Sequence, residues 1–215
     1  MTRTISQLRT LAVLALTGAG LLAWPAAATA QTVSGSASAV RASVFGMTTT
    51  LADTGPLADA SDLRDASNMA AGILSLGSAD VLHAATGASP DSVASEASLA
   101  DAGLAVAGNF ISAAFVMARA LAPAAGSPVG TSEIDGLSIN GVPVTVTGQP
   151  NQTVWLLGGR VILNEQVPTS TGTTVNAVHV IVSGVADIVL ATASAGVGSS
   201  GSGLPLPPPP LPPLF

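Results

Sequence analysis

The chain has 215 residues, of which 48% are hydrophobic and only 8% are charged, and its net charge is −6. This composition is too apolar for a chain that is disordered throughout, and six basic residues without a cluster offer no electrostatic surface for nucleic acid. The absence of cysteine excludes disulfides, thiolate metal sites and cysteine nucleophiles.

Residues 1–30 have the three parts of a secretory signal peptide. Arg3 and Arg9 form a basic start, residues 11–24 are an apolar run, and Ala28-Thr29-Ala30 offers a cleavage site. The run is shorter than the roughly 20 residues that span a bilayer core, so cleavage is favoured and an uncleaved anchor is the alternative. We therefore expect a secreted or cell-surface protein with no integral membrane span after cleavage.

The rest of the chain is predicted to form one domain and a tail. Residues 31–194 form a single β-rich domain in this prediction, with a possible sub-boundary near residue 126, where alanine stops and a Pro/Gly-rich stretch lies. Residues 195–203 are rich in glycine and serine, and residues 204–215 contain seven prolines. This composition predicts a disordered tail over residues 195–215, with polyproline II character in the proline run.

The alanine-rich half of the domain combines one predicted strand with ambiguous segments. Residues 39–51 resemble a strand. One short helix near residues 57–70 is possible, because apolar residues recur at nearly helical spacing after an acidic start. For residues 71–125 the pattern leaves strands and partial helix both open.

The stretch from residue 102 to residue 118 contains no charge, so a transmembrane helix is an alternative there. Asn109 in its middle and Arg119 at its end favour instead a pair of strands bridged near Gly108-Asn109.

The second half of the domain predicts antiparallel hairpins. Asn140-Gly141 and Gly158-Gly159 are turn dipeptides between β-branched runs. Residues 174–183 are apolar on both faces, which predicts a central strand, and residues 186–194 follow after Gly184 as its antiparallel neighbour. The expected fold class is all-β, a mainly antiparallel, sandwich-like domain.

Two histidines are the candidates for acid–base chemistry. His83 follows Asp80 by three residues, and His179 lies in reach of Asp187, so either pair could serve a hydrolase. The alternative is a half-buried strand histidine that bonds a backbone group. No nucleophile elbow, phosphate loop or dinucleotide motif is present. We therefore predict no catalytic residue, no cofactor and no enzymatic activity.

Acidic and aromatic residues suggest two weaker binding hypotheses. Four aspartates lie close together, but they lack the spacing of an ordered calcium loop, so no metal site is predicted and weak calcium binding is the alternative: Asp53, Asp59, Asp62 and Asp65. A carbohydrate-binding module would show Trp155 or Phe45 exposed on its surface.

Five segments follow one another in the chain: Ala42-Ser43-Val44-Phe45-Gly46, Leu137-Ser138-Ile139-Asn140-Gly141-Val142-Pro143-Val144, Val161-Ile162-Leu163-Asn164-Glu165-Gln166, Val175-Asn176-Ala177-Val178-His179-Val180 and Ala186-Asp187-Ile188-Val189. In this order they resemble the choice-of-anchor P family, over about residues 37–194. The resemblance implies a bacterial exported, surface-associated protein of unknown molecular function. The family's C-terminal anchor differs between species, and no recognisable anchor motif follows residue 194 here.

The polar positions most tied to this resemblance are the predicted binding residues: Asn164, Glu165, Gln166, Asn176 and His179. The expected function is a non-enzymatic structural or adhesive role, with contacts to the cell envelope or extracellular matrix. A carbohydrate or surface-ligand binding module is the first alternative, and a histidine–carboxylate hydrolase is the second.

Overall fold

The computed structural model describes residues 31–199, and the predicted signal peptide and the proline run lie outside them. These residues form an all-β sandwich of two antiparallel sheets, as the sequence predicts. In chain order the strands are β1 (Gln31–Val44), β2 (Met47–Asp53), β3 (Leu63–Ile73), β4 (Gly77–Ser89), β5 (Ser92–Val106), β6 (Asn109–Pro123), β7 (Val129–Asp135), β8 (Ser138–Ile139), β9 (Val142–Pro143), β10 (Gln152–Leu156), β11 (Gly159–Pro168), β12 (Gly172–Val182) and β13 (Ala186–Ser199).

The two sheets draw on both halves of the chain. Sheet A has the order β10-β11-β12-β13-β1-β2, and sheet B has the order β3-β4-β5-β6-β8-β9, with β7 also paired to β6. One hydrophobic core of mainly alanine, valine and leucine lies between the sheets and contains residues from both sides of residue 126.

Each long strand changes the side that it buries about midway along its length. In β13 the core residues are Ile188 and Leu190, and then Ala193 and Ala195, so the two-residue alternation shifts by one. The same shift occurs in the other long strands of sheet A. The residues at this level form what we call the switch row: Ala39, Ala52, Asn164, Ala177 and Ala191.

In sheet A, every second strand makes the shift with a residue of positive φ. Ala52, Asn164 and Ala191 have φ of 46°, 50° and 56°. In sheet B, Val81 and Asp101 have φ of 48° and 45°, and the buried side changes there too. Alanine and asparagine occupy these positions in sheet A, because the left-handed backbone conformation has a higher free-energy cost for a bulky side chain.

Polar side chains join the two sheets at three places. Ser95 of β5 donates to the carbonyl of Ser194, at 2.7 Å, and Gln166 of β11 donates to the carbonyl of Gly130, at 2.9 Å. Buried Asn109, which the sequence placed at a hairpin, donates to the carbonyl of Leu157 at 3.1 Å. These bonds satisfy buried groups while they hold the sheets in register.

The helix expected near residues 57–70 is wrong. The described residues contain no helix, and this segment is a loop followed by β3. The acidic residues bind backbone amides of the loop: Asp59 accepts from Ser61 at 2.8 Å, and Asp62 accepts from Ala58 at 2.7 Å. β3 then pairs along β4, so strand pairing overrides the weak helical spacing.

Residues 71–125 are strands rather than partly helical, and β5 and β6 turn at Ala107-Gly108 next to the predicted bridge. No helix in the described part of the chain is long and apolar enough to cross a membrane.

The predicted end of the domain at residue 194 is too early. β13 continues to Ser199, because residues 195–199 pair with the first residues of β1. The hairpin at Asn140-Gly141 is confirmed. The second predicted hairpin also forms, but its turn is Leu157-Gly158, one residue earlier than predicted, because Gly159 pairs with Leu156. β12 lies centrally between β11 and β13.

Two glycines on neighbouring strands allow a matched test of the packing of β4 on β5. A Cβ built at Gly77 would fall on the backbone carbonyl of Gly103, whereas a Cβ at Gly103 meets nothing within 4 Å. We expect Gly77→Ala to lower the free energy of unfolding by about 1–3 kcal/mol, because the strands must move apart. Gly103→Ala should change it by less than about 0.5 kcal/mol. Urea unfolding of both variants checks this, and equal effects would contradict the close approach.

Candidate functional site

Three of the predicted binding residues meet on the outer face of sheet A. Glu165 Oε2 accepts a hydrogen bond from Asn176 Nδ2 at 2.7 Å and lies 2.7 Å from His179 Nδ1. The other ring nitrogen of His179 lies 3.1 Å from Asp187 Oδ1. Thr192 extends the chain of bonds by donating to Asn176 Oδ1 at 2.9 Å. We call these five side chains the His179 network.

The switch row makes this network possible. In a regular strand, Asn176 and His179 would point to opposite faces because they are three residues apart. The shift at Ala177 turns both side chains outward, so that one carboxylate oxygen of Glu165 can bond both of them. The site thus depends directly on the backbone feature at the centre of the sheet.

The network is ordered and half-buried. The side chains of His179 and Glu165 are 14% and 18% exposed, whereas Asp187 is 62% exposed. Both ring nitrogens of His179 face carboxylate oxygens, which can only accept hydrogen bonds. Each ring nitrogen of His179 therefore already has a carboxylate partner within the network.

Asn164 and Gln166 point to other partners. Asn164, which is buried, donates to the carbonyl of Gly148 at 3.0 Å and accepts from Gln166 Nε2 at 3.2 Å. The backbone amide of Gln166 donates to Asn151 Oδ1 at 3.0 Å. These two residues thus bond the loop before β10 and, through Gly130, sheet B, and in the described part of the chain they form no hydrogen bond to a carboxylate of the network.

An exposed aromatic residue lies on the same face as the network. The pairing of sheet A continues in one line across its strands, from Trp155 through Arg160 and Ile181 to Asp187 and Ser43. Directly paired residues share a face, so all five point outward. Trp155 is 76% exposed, and we call this line the Trp155 row.

The arginines of the two sheets differ in their partners. In sheet B, Arg64 pairs with Asp62 and Arg119 pairs with Glu96. Arg41 and Arg160, on the outer face of sheet A, form no ion pair within residues 31–199. Their guanidinium groups are donors without a carboxylate partner in this part of the chain.

The second histidine candidate is not assembled into a pair. His83 is exposed on β4, between Ser67 and Ser98 of the neighbouring strands. Among the described residues, no hydrogen bond or ion pair joins it to Asp80. His179 thus differs from His83 because the neighbouring strands bring carboxylates to its ring, whereas an acidic residue close in sequence does not do so for His83.

The aspartates considered for calcium are used inside the loop between β2 and β3. Hydrogen bonds from the side chain and the backbone of Ser61 lower the pKa of Asp59, and the backbone amide of Ala58 together with Arg64 lowers that of Asp62. Within residues 31–199, no group of three or more histidine or acidic side chains is arranged to hold a metal ion.

Comparison of the chain with known protein families, with curated proteins and with solved structures finds no match.

Sequence reasoning paired His179 with Asp187, and these side chains lie 3.1 Å apart, but it did not join Trp155 to them. It did not select Thr192 or Arg160. The sequence carries no signal for Thr192, because the alternation shifts at Ala191 and alanine is compatible with either face of a sheet. Nothing local indicates that Arg160 lies beside Trp155, because that requires the register of the hairpin.

The acidic loop has a defined pH response. Because the folded pKa values of Asp59 and Asp62 lie below their ordinary values, their hydrogen bonds stabilise the loop above pH about 4 and are lost as the pH falls through the lowered pKa. NMR titration of the carboxyl carbons should show both pKa values below the ordinary aspartate value of 3.8. Ordinary values at Asp59 and Asp62 would contradict the loop geometry.

The two carboxylates around His179 should differ in their contribution to stability. Glu165→Ala leaves half-buried Asn176 and His179 donors without their acceptor, and we expect a loss of about 1–3 kcal/mol in the free energy of unfolding. Asp187→Ala removes an exposed partner and should cost less than about 1 kcal/mol. Chemical denaturation measures both, and a larger effect at Asp187 would overturn this description of the network.

Proposed function

We propose that this chain is an exported, non-enzymatic adhesive module of the bacterial surface that binds a polyhydroxylated ligand, a glycan, on the outer face of sheet A. The observation that carries the proposal is the Trp155 row. An indole that is 76% exposed stands directly opposite Arg160, beside a network of fixed polar groups.

The chemistry of this face suits a sugar. An exposed indole offers a flat apolar surface for the C–H face of a pyranose ring, and its rigid side chain loses little conformational entropy on binding. Arg160 and Arg41 offer donors to hydroxyl oxygens, and Asp187 offers an exposed acceptor. Because directly paired residues of neighbouring strands share a face, these groups lie in rows that an extended ligand can follow.

The His179 network supports binding by preorganisation. Glu165 holds Asn176 and His179 on one side, and the ring of His179 points its other nitrogen at Asp187. An acceptor already held in place loses less freedom when a ligand binds, which raises affinity without new contacts.

The same geometry favours a binding role over catalysis. A general base needs a free lone pair within reach of the substrate proton, and both nitrogens of His179 face carboxylates. In the described part of the chain, no serine or threonine hydroxyl is hydrogen-bonded to His179 as a nucleophile would be. We therefore place the hydrolase hypothesis second.

The surface location is part of the proposal and has a separate basis. It rests on the basic start, the apolar run and the Ala28-Thr29-Ala30 site of residues 1–30, and on the resemblance to the choice-of-anchor P family. An adhesive role in the envelope or extracellular matrix follows from that location together with a ligand-binding face.

Replacing the indole should weaken ligand binding while the fold is kept. We expect Trp155→Ala to weaken binding to the oligosaccharides captured from an immobilised panel by about tenfold or more, the loss typical of a central aromatic contact. Phe110→Ala, at a half-exposed aromatic of sheet B, is the matched control and should leave binding unchanged.

Calorimetry with each captured oligosaccharide measures the affinities, and chromatography of the same mixtures tests for cleavage. Unchanged binding by Trp155→Ala, or capture of no oligosaccharide by the intact protein, would refute the glycan face. Cleavage that is lost in His179→Asn would favour the hydrolase instead.

A further inference from the structure

The outer face of sheet B carries a groove that the proposed glycan face does not use. It has a volume of about 520 Å³ and lies at one end of the sheet. Its floor consists of small residues, Gly87 and Ala94, and its walls are apolar: Leu63 on one side and Leu121 and Val129 on the other. Leu63, Leu121 and Val129 are 80%, 44% and 54% exposed.

The groove is electrically neutral. The charged side chains along it, Glu96 and Arg119, form an ion pair with each other. A charged partner therefore gains little there, and an uncharged apolar segment matches it best.

We propose that residues 204–215 of the same chain dock into this groove. The segment, Leu-Pro-Leu-Pro-Pro-Pro-Pro-Leu-Pro-Pro-Leu-Phe, contains no charge and consists only of leucine, proline and phenylalanine. Its seven prolines lack N–H donors, so it cannot extend a sheet edge, and it needs a surface that recognises side chains and carbonyl oxygens. The guanidinium of Arg119 and the hydroxyl of Thr131 stand at the groove as donors for such carbonyls.

The position of β13 brings the segment to the correct end of the sandwich. Ser95, at the groove, bonds the carbonyl of Ser194 in β13. β13 then runs to Ser199, about 17 Å farther at about 3.3 Å per residue. Residues 200–203 precede Leu204, and each residue of an extended chain spans about 3.3 Å. These four residues and the first residues of the proline run are therefore long enough to lead back to the level of Ser95 and around the edge of the sandwich to the groove.

The dimensions also agree. The line from Leu63 to Val129 joins five neighbouring strands, and its four inter-strand spacings of about 4.8 Å make about 19 Å. A polyproline II segment rises about 3.1 Å per residue, so about six residues fill this length. Attachment through a short glycine–serine stretch gives an effective concentration of about a millimolar, so even weak contacts lead to occupancy.

The experiment compares the full chain with a chain that stops at Gly203, using backbone amide NMR. Removal of residues 204–215 should shift the amides of Gly87, Ala94, Leu121 and Val129. Addition of the twelve-residue peptide to the shorter chain should return them toward their original positions. A peptide in which every leucine and the phenylalanine are replaced by serine, with the prolines kept, should have no effect.

Leu121→Asp in the shorter chain places a charge on the groove wall and should weaken peptide binding about tenfold or more. Val142→Asp, at an exposed apolar residue outside the groove, is the matched control and should bind the peptide normally. If Leu121→Asp does not fold, the serine peptide still decides the question.

Three results would overturn the proposal. The first is that truncation shifts no amide. The second is that the shifts are confined to the cleft between the loop after β6 and the loop after β11. The third is that the shifts in the full chain vanish on dilution and that sedimentation shows a dimer. The last result would assign the segment to the groove of a second copy.

Discussion

The arrangement of both sheets depends on the shift in side-chain alternation at mid-strand. A strand that buries every second residue along its whole length would leave each long strand with a single apolar face. Here the buried side changes at the switch row, so the outer face receives pairs of residues three apart in sequence. The shift requires left-handed backbone at Ala52, Asn164 and Ala191, at a cost of about 1–2 kcal/mol for each residue in that region. Continuous pairing on both sides offsets that cost.

The switch row also explains why polar groups gather where they do. Asn164 occupies the row in β11, and its side chain is turned to the loop before β10, while the next residue, Glu165, points outward. Glu165 is then opposite Asn176 and diagonal to His179, and the three form bonds that a regular ladder would not allow. A single backbone irregularity thus links packing in the core to the geometry of the surface network.

The sequence predicted those features that are set by local chemistry. Turn dipeptides such as Asn140-Gly141 identify hairpins because few residues adopt positive φ, and β-branched runs identify strands. The helix near residues 57–70 failed because its acidic start is equally suited to bonding loop amides, as Asp62 does. The alternation shift could not be predicted, since alanine is compatible with either side of a sheet. For that reason the meeting of Asn176 with His179 was also beyond sequence reasoning.

The two outer faces differ in chemistry because the two sheets carry different residues on their solvent side. In sheet A, branched residues such as Ile162 and Val189 lie between polar side chains that bond one another. The acidic side chains and the histidine of this face are fixed by these hydrogen bonds. In sheet B, glycine and alanine let neighbouring strands approach closely and leave a shallow apolar depression between larger side chains. A face of fixed polar groups favours a ligand with directional hydrogen bonds, because a misplaced hydroxyl leaves a partner unsatisfied. A neutral depression does not require directional hydrogen bonds, so it favours an apolar segment that fits its shape. The sandwich therefore presents chemically distinct outer faces on opposite sides of one core, so the proposed glycan and the proposed C-terminal segment would not compete for the same surface.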